Sequence, residues 1–206
     1  MANVLDLDFD YFMGISNDSK ILDEYKSDLA PSHKACYVSH YKVWELIAYH
    51  NYESALILED DVDFEMDISR IMTKVHRYLP AYWEMLYLGH CSYEGDDDFY
   101  VKSHRWLGHY FVGLFKSKAP ACTHAYAISS FGASKLLKEV VDPKEPVDVE
   151  LVFKIQTGNI ISYSLEPSII VQWKNATNPS NVSPGKNDYT QWWFLKSSTM
   201  HHVGLI

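Results

Sequence analysis

Apolar and polar positions follow two different periods along the chain, and each period predicts one kind of element. Apolar residues recur at the spacing of a single helical face in four segments, which predict helices over residues 33–50, 66–79, 131–141 and 147–156. Short apolar runs predict buried strands at "SALIL" (54–58), "WEMLYLG" (83–89) and "HAYAIS" (124–129), with one or two more in 159–173. Polar stretches predict loops at 94–100 and 175–187.

The alternation of predicted helices and strands indicates an α/β fold, in which helices flank a mixed, mainly parallel sheet. The chain has 206 residues, which is long enough to bury a substantial core and short enough for one domain. We therefore expect a single domain over residues 1–206.

Charge and cysteine content narrow the function classes. The net charge of −9 argues against a general nucleic-acid surface, because such a surface needs Lys and Arg to neutralise phosphates. The opening residues "MANVLDLDFDYFMG" have acids where a signal peptide has bases and a long apolar run. No stretch approaches the roughly 20 apolar residues of a membrane span. The isolated cysteines, Cys36, Cys91 and Cys122, are expected to be reduced thiols in a cytoplasmic protein without a transmembrane segment.

A row of carboxylates follows the predicted strand 54–58, beginning with Glu59, Asp60 and Asp61. Ligands of open α/β sheets bind at the carboxyl ends of strands, and a divalent cation would relieve the repulsion between neighbouring carboxylates. In an extended segment Glu59 and Asp61 point one way and Asp60 points the other. The row therefore fits a metal site, although a solvated acidic loop or an acidic helix start fits the spacing equally well.

Five motifs follow one another between about Ser32 and Pro167. They read "KACYVSHYKVWE", "ALILEDDV", "WEMLYLG", "THAYAISSFGASKLL" and "PVDVEL". Together they resemble glycosyltransferase family 25, which includes lipopolysaccharide and collagen galactosyltransferases. The resemblance implies a GT-A-like (Rossmann-like) domain that moves a hexose, galactose or glucose, from a UDP-sugar to a hydroxyl of a glycan or glycoprotein acceptor.

The resemblance also assigns the acidic triplet. Glu59-Asp60-Asp61 corresponds to a DxD-type motif that holds Mn²⁺ or Mg²⁺. Asp61 would ligate the metal, Glu59 would bind the metal or the donor ribose, and Asp60 would make a separate substrate contact. Such a metal neutralises the diphosphate that leaves when the glycosidic bond breaks.

The acceptor hydroxyl needs a base, and our candidate is Asp148 in "PVDVEL", with transfer by inversion. Pro146 places Asp148 at a helix start, where backbone N–H groups hold a carboxylate. A plain helix cap is the alternative role, and Glu150 is the second candidate for the base.

Other candidates are substrate-binding residues. Ser39 and His40 match the "SH" of the family at a helix that borders the donor site, and His124 precedes a strand that meets the donor sugar. A core histidine is the alternative for His40. His201 and His202 would supply a late metal ligand unless they belong to a disordered tail.

Two other functions compete with transfer. A catalytically silent module that binds a nucleotide sugar or a glycan is favoured by the opening of the chain, which does not match the first strand of the family. A metal-dependent phosphohydrolase would need further Asp or His ligands at other strand ends, and the sequence offers no clear set.

Overall fold

The structure, a computed structural model, describes residues 1–91, 95–107, 110–174 and 195–206, and it gives the backbone alone for residues 2, 95–107, 110 and 111. Six strands form one sheet in the order β1-β6-β3-β7-β5-β4. Two short strands, β2 and β8, form a separate antiparallel ribbon. The strands are β1 (Ser54–Leu58), β2 (Val62–Phe64), β3 (Met85–Gly89), β4 (Gly95–Leu107), β5 (Tyr110–Ser117), β6 (Ala125–Ser129), β7 (Ser162–Glu166) and β8 (Ile170–Gln172).

Helices pack on both faces of the sheet. Successive side chains of a strand point to opposite faces, and both faces carry apolar residues that must be covered. The helices are α1 (Ala2–Leu5), α2 (Pro31–His50), α3 (Ile68–Val75), α4 (Ser130–Glu139), α5 (Val147–Gln156) and α6 (Thr199–His202), with a 3₁₀ turn at Lys20–Glu24. On one face, Tyr87 and Tyr126 pack with apolar residues of α2, α4 and α5. On the other, Leu86 and Leu165 pack with residues of α3 and the β2–β8 ribbon. The α/β prediction is confirmed.

The expected mainly parallel pairing is wrong. Among the strands that the structure describes, only β3 and β7 pair in parallel, and the other four pairs of the sheet are antiparallel. The chain leaves β3 through the β4–β5 hairpin, and then returns as β6 between β1 and β3. A hairpin reverses direction without a crossover helix, which the helix–strand alternation of the sequence does not reveal.

Most predicted elements are found close to their expected bounds. The three strands predicted from "SALIL", "HAYAIS" and "WEMLYLG" are β1, β6 and β3, and they are neighbours in the sheet. The predicted loop 94–100 is wrong, because residues 95–100 belong to β4. Its run of aspartates is unusual for a strand, and the register with β5 is irregular there, with Gly95 opposite Ser117 and Tyr100 opposite Phe115. The predicted loop 175–187 lies outside the described residues. A single domain over residues 1–206 stays a prediction.

Candidate active site

The acidic triplet begins where β1 ends, and the two outer carboxylates meet one amide. The side-chain nitrogen of Gln172, the last residue of β8, lies 2.8 Å from Asp61 Oδ2 and 3.5 Å from Glu59 Oε2. Asp60, between them, is exposed to solvent. This is the alternation predicted for an extended segment. Glu59 and Asp61 are thus neighbours at one end of the sheet, as a shared cation would require.

Glu59 belongs to a buried ionic network. Its Oε1 accepts a hydrogen bond from the Thr123 hydroxyl at 2.9 Å and lies 3.5 Å from His40 Nε2. Burial acts to raise the pKa of Glu59, but the hydrogen bond and charge of His40 outweigh it and hold the pKa at about 2. Burial likewise acts to lower the pKa of His40, yet contacts with Tyr126, Cys36 and Glu59 raise it well above its usual value. Glu59 is therefore a carboxylate paired with an imidazolium.

The pKa of Asp61 is shifted in the direction opposite to that of Glu59. Burial and the neighbouring negative charge of Glu59 raise the pKa of Asp61 to about 6. Its Oδ1 is buried and has no hydrogen-bond partner among the described residues. A buried carboxylate oxygen without a partner is costly unless something neutralises it. Hard oxygen ligands of this kind suit Mn²⁺ or Mg²⁺, so the donor set of Glu59 and Asp61 fits the cation that the sequence predicts.

His124 lies behind the triplet, in the core. Its backbone oxygen accepts from the Glu59 N–H at 2.9 Å, and its Nε2 lies 3.4 Å from the Ile170 oxygen. Burial lowers the pKa of His124 to about 4, against the attraction of Glu59, so the ring is neutral at pH 7. Gly89 permits this packing, because a Cβ there would collide with both His124 and Ile170. This position suits support of Glu59, and the predicted contact of His124 with a sugar stays a prediction.

The segment before β6 is held by a disulfide between Cys91 and Cys122, whose Cα atoms are 5.6 Å apart. The prediction of reduced thiols is therefore wrong for these two residues and holds for Cys36, which is free. The pairing could not be predicted from local sequence, because the two cysteines lie 31 residues apart, before β4 and after β5. Disulfides persist mainly in oxidising compartments, so the bond counts against the predicted cytoplasmic location. Among the described residues, no helix has the length and hydrophobicity that a membrane span requires.

Asp148 lies in the first turn of α5, close to the same segment. Its Oδ2 accepts from the Cys122 N–H at 3.4 Å, and its Oδ1 accepts from the Val149 N–H at 3.0 Å. Glu150, the second candidate, lies 4.0 Å from the Lys154 ammonium. Cys122 and Thr123 are consecutive, so one short segment contacts both Asp148 and Glu59. The structure thus brings the candidate base and the acidic triplet to the same segment, and catalysis by either residue stays a prediction.

Ser39 and His40 lie on α2, but they face different surroundings. The Ser39 hydroxyl donates to the Ala35 oxygen and accepts from the Ile15 N–H, both at 2.8 Å. It therefore anchors the segment that precedes α2. His40 is buried, with its Nδ1 2.9 Å from the Tyr126 hydroxyl. His40 thus touches the site through Glu59, while a donor contact of Ser39 stays a prediction.

The later acids of the run hold the end of the chain. Asp63 is fully buried and accepts from the Ser198 hydroxyl and the Met200 N–H. Glu65 accepts from the Lys196 and Ser197 N–H groups at 2.7 and 3.1 Å. These two carboxylates have structural partners, so Asp63 and Glu65 are not available to a cation.

The predicted late metal ligands, His201 and His202, lie on α6 and are exposed. Neither belongs to a group of three potential ligand residues among the described parts of the chain. A metal-binding role for them stays a prediction.

Two residues of the site, Thr123 and Gln172, were not predicted from the sequence. Thr123 and Gln172 orient Glu59 and Asp61 directly. Thr123 immediately precedes the predicted strand 124–129, and Gln172 lies near the end of the predicted strand segment 159–173. A polar side chain at a strand end was the available signal, but the sequence alone does not show that these two ends meet the triplet.

Comparison with known proteins gives the family. The sequence pattern of "Glycosyltransferase family 25 (LPS biosynthesis protein)" matches residues 12–151. A glycosyltransferase 25 family member of Aedes aegypti is 27% identical over 165 residues, which cover 71% of this chain and 25% of the relative. Procollagen galactosyltransferase 1-B of Xenopus laevis is 27% identical over 211 residues, which cover 83% of this chain and 33% of the relative.

A third relative differs in its stated activity. Inactive glycosyltransferase 25 family member 3 of Homo sapiens is 30% identical over 106 residues, which cover 50% of this chain and 16% of the relative. The chain thus matches between about a sixth and a third of the length of these relatives. Because the family pattern matches well over half of the chain, the protein belongs to glycosyltransferase family 25.

Proposed function

We propose that this chain is a metal-dependent glycosyltransferase that moves a hexose, galactose or glucose, from a UDP-sugar to a hydroxyl of a glycan or glycoprotein. One observation carries the proposal. Asp61 presents a buried carboxylate oxygen without a partner among the described residues, next to Glu59 at the end of β1. Family membership supports transfer, and the name of the Xenopus laevis relative, a procollagen galactosyltransferase, supports galactose.

Glu59 and Asp61 would hold Mn²⁺ or Mg²⁺. A bound cation of this kind supplies Lewis-acid stabilisation of the leaving diphosphate. The surrounding residues prepare the site for it, since Gln172 holds Asp61 and both Thr123 and His40 hold Glu59. Ligands fixed in this way need little rearrangement on binding. Exposed Asp60 remains free to contact the donor.

Asp148 would accept the proton of the acceptor hydroxyl. A base must ionise and must have an oxygen free to receive the proton. Each oxygen of Asp148 accepts one backbone hydrogen bond and retains further acceptor capacity. The carboxylate is half-buried, so it can be reached by a substrate. Transfer would proceed with inversion if Asp148 faces the donor from the side opposite the diphosphate.

A silent binding module is the second candidate, because relatives in Homo sapiens, Rattus norvegicus and Bos taurus carry "inactive" in their names. Such a module would keep the metal-dependent affinity for a UDP-sugar and lack transfer. A phosphohydrolase has no comparable support, because the further acids Asp63 and Glu65 are occupied by backbone and hydroxyl groups.

Calorimetry with UDP-galactose and UDP-glucose, with and without Mn²⁺, tests the proposal. We expect Mn²⁺-dependent binding that Asp61→Ala abolishes without unfolding the chain, because removing a repelling carboxylate relieves the apo site. Asp67→Ala is the matched control, since Asp67 is an exposed acid of the same run whose side chain makes no capping hydrogen bond to α3. Equal Mn²⁺ affinity in the wild type and in folded Asp61→Ala would overturn the metal site. Binding without transfer to any glycan or glycoprotein tested would support the silent module.

A further inference from the structure

A cysteine, a histidine and a glutamate converge beside the triplet, on the side away from Asp61. Cys36 and His40 are four residues apart on α2, so they share one helical face. One ligand atom from each of Cys36, His40 and Glu59 lies within 4.8 Å of the other two. Cys36 is the free thiol of the chain and is half-buried, so this cluster mixes soft and hard ligands at an accessible position.

The chemistry of these three ligands favours a different ion from the one proposed above. Thiolate and imidazole select borderline-soft cations such as Zn²⁺, whereas Mn²⁺ and Mg²⁺ prefer sets of oxygen ligands. Bonds of about 2.0–2.3 Å in a tetrahedral zinc site place its ligands roughly 3.3–3.8 Å apart. The 3.5 Å between His40 Nε2 and Glu59 Oε1 is already in that range. The thiol would need a modest approach to complete the set.

The surroundings of His40 fit a metal ligand. A ligating histidine normally donates its second ring N–H to a fixed acceptor. His40 Nδ1 lies 2.9 Å from the Tyr126 hydroxyl, and that hydroxyl also accepts from the Trp44 indole N–H at 2.9 Å. The hydroxyl oxygen has room for two donors. Nε2 is therefore directed to Glu59, and a bound zinc would take the place of the proton between them, because a ligating imidazole must be neutral and metal binding releases protons.

We propose that Cys36, His40 and Glu59 form a zinc site that shares Glu59 with the candidate donor-metal site. The two oxygens of Glu59 have separate partners, because Oε1 lies at His40 and Thr123, and Oε2 lies at Gln172. Zn²⁺ at Oε1 reduces the negative charge that Oε2 can offer to a second cation. Zinc is therefore expected to weaken Mn²⁺ binding, and by linkage Mn²⁺ weakens zinc binding equally. Only this coupling rests on the proposed function.

Cobalt(II) titration of the full chain tests the site, because Co²⁺ substitutes for Zn²⁺ and a cobalt–thiolate bond gives an intense near-ultraviolet charge-transfer band. Cys91 and Cys122 are joined to each other, so a thiolate band reports Cys36 alone. We expect the band in the wild type, its displacement by Zn²⁺, and its loss in Cys36→Ser and His40→Gln. Asp61→Asn should keep the band, because Asp61 belongs to the other site.

Alkylation of Cys36 in the wild type is a second test. It needs no variant, so it remains valid if Cys36→Ser does not fold. Zn²⁺ should slow alkylation of Cys36 by iodoacetamide at least tenfold in the wild type, and Mg²⁺ should not. Absence of both the cobalt band and the zinc protection would overturn the site. A cobalt band that disappears in folded Asp61→Asn would also overturn it, because the ion would then lie at the triplet. A chain that shows the band but binds no UDP-sugar would support this site and count against the proposed function.

Discussion

The backbone N–H of Cys122 donates to the carboxylate of Asp148, with 3.4 Å between the nitrogen and Oδ2. This long hydrogen bond joins the candidate base to a residue that is itself fixed by the disulfide to Cys91. The next residue, Thr123, holds Glu59. The disulfide is therefore positioned to set the distance between the base and the acidic triplet.

Reduction of this disulfide should destabilise the chain. The bond closes a loop with a sequence separation of 31 residues, and in the chain-entropy account such a crosslink stabilises the fold by about 3–4 kcal/mol. We expect the free energy of unfolding in urea to fall by roughly that amount when a reductant is added. Cys91→Ser/Cys122→Ser should match the reduced protein.

Cys36→Ser is the control for the reductant, because Cys36 is free in either condition. This variant should lose stability on reduction just as the wild type does. An unchanged urea midpoint in the reduced wild type would show that packing alone holds the segment before β6.

The sequence predicted α2, β1, α4 and α5 well, because each has a local signal within its own residues. The spacing of Cys36 and His40 on α2 and the apolar run before Glu59 are examples of such signals. The antiparallel insertion of β6, the disulfide and the contacts of Gln172 depend on residues far apart in the chain. Periodicity has no access to these contacts, so the acidic triplet was predicted, whereas Thr123 and Gln172, which hydrogen-bond to it, were not.

Gln172→Met should weaken the apo site while keeping its volume. The thioether cannot donate the 2.8 Å hydrogen bond to Asp61, and a buried acceptor that loses its donor costs about 1–3 kcal/mol. We expect a lower melting temperature without metal and a larger stabilisation by Mn²⁺ than in the wild type. Differential scanning fluorimetry across a Mn²⁺ series measures both effects.

The Mn²⁺ series has its own control in Gln156→Met, which changes the same residue type at the last position of α5 and removes no contact to the triplet. Equal apo melting temperatures for Gln172→Met and the wild type would contradict a supporting role for the amide.

His124 should make the chain sensitive to acid. Its pKa is about 4 in the folded protein because burial disfavours the charged ring, against about 6.5 in an unfolded chain. Between these values the unfolded chain binds more protons, so stability falls as the pH is lowered from 6.5 to 4. The full difference corresponds to about 3 kcal/mol.

Urea unfolding at a series of pH values should therefore show a shallower acid loss for His124→Gln than for the wild type. His76→Gln, at the exposed C-terminal end of α3, controls for the removal of a histidine as such. Parallel pH profiles for the wild type and His124→Gln would refute the assignment.

Asp148→Asn separates catalysis from structure. The amide oxygen can still accept the Cys122 N–H, while the amide nitrogen cannot accept the Val149 N–H. The free energy of unfolding should therefore fall only by about 0.5–1.5 kcal/mol, the contribution of one hydrogen bond. Donor affinity should also persist, because the proposed function assigns donor binding to Glu59 and Asp61 and not to Asp148. An amide cannot take up the acceptor proton, so transfer should fall by about 10²–10⁴-fold. Calorimetry with a UDP-sugar and a single-turnover transfer assay measure the two effects separately.

The matched variant is Glu150→Gln, two residues along the same helix, where the carboxylate lies 4.0 Å from Lys154. If Asp148 is the base, Glu150→Gln should keep most of the transfer rate, since it removes only a partly exposed ion pair that contributes about 0–1 kcal/mol. The reverse pattern, with transfer kept in Asp148→Asn and lost in Glu150→Gln, would assign the proton to Glu150. A loss of stability well beyond one hydrogen bond in Asp148→Asn would instead make Asp148 a structural residue of the first turn of α5, because replacing one carboxylate oxygen by an amide nitrogen leaves the steric fit intact.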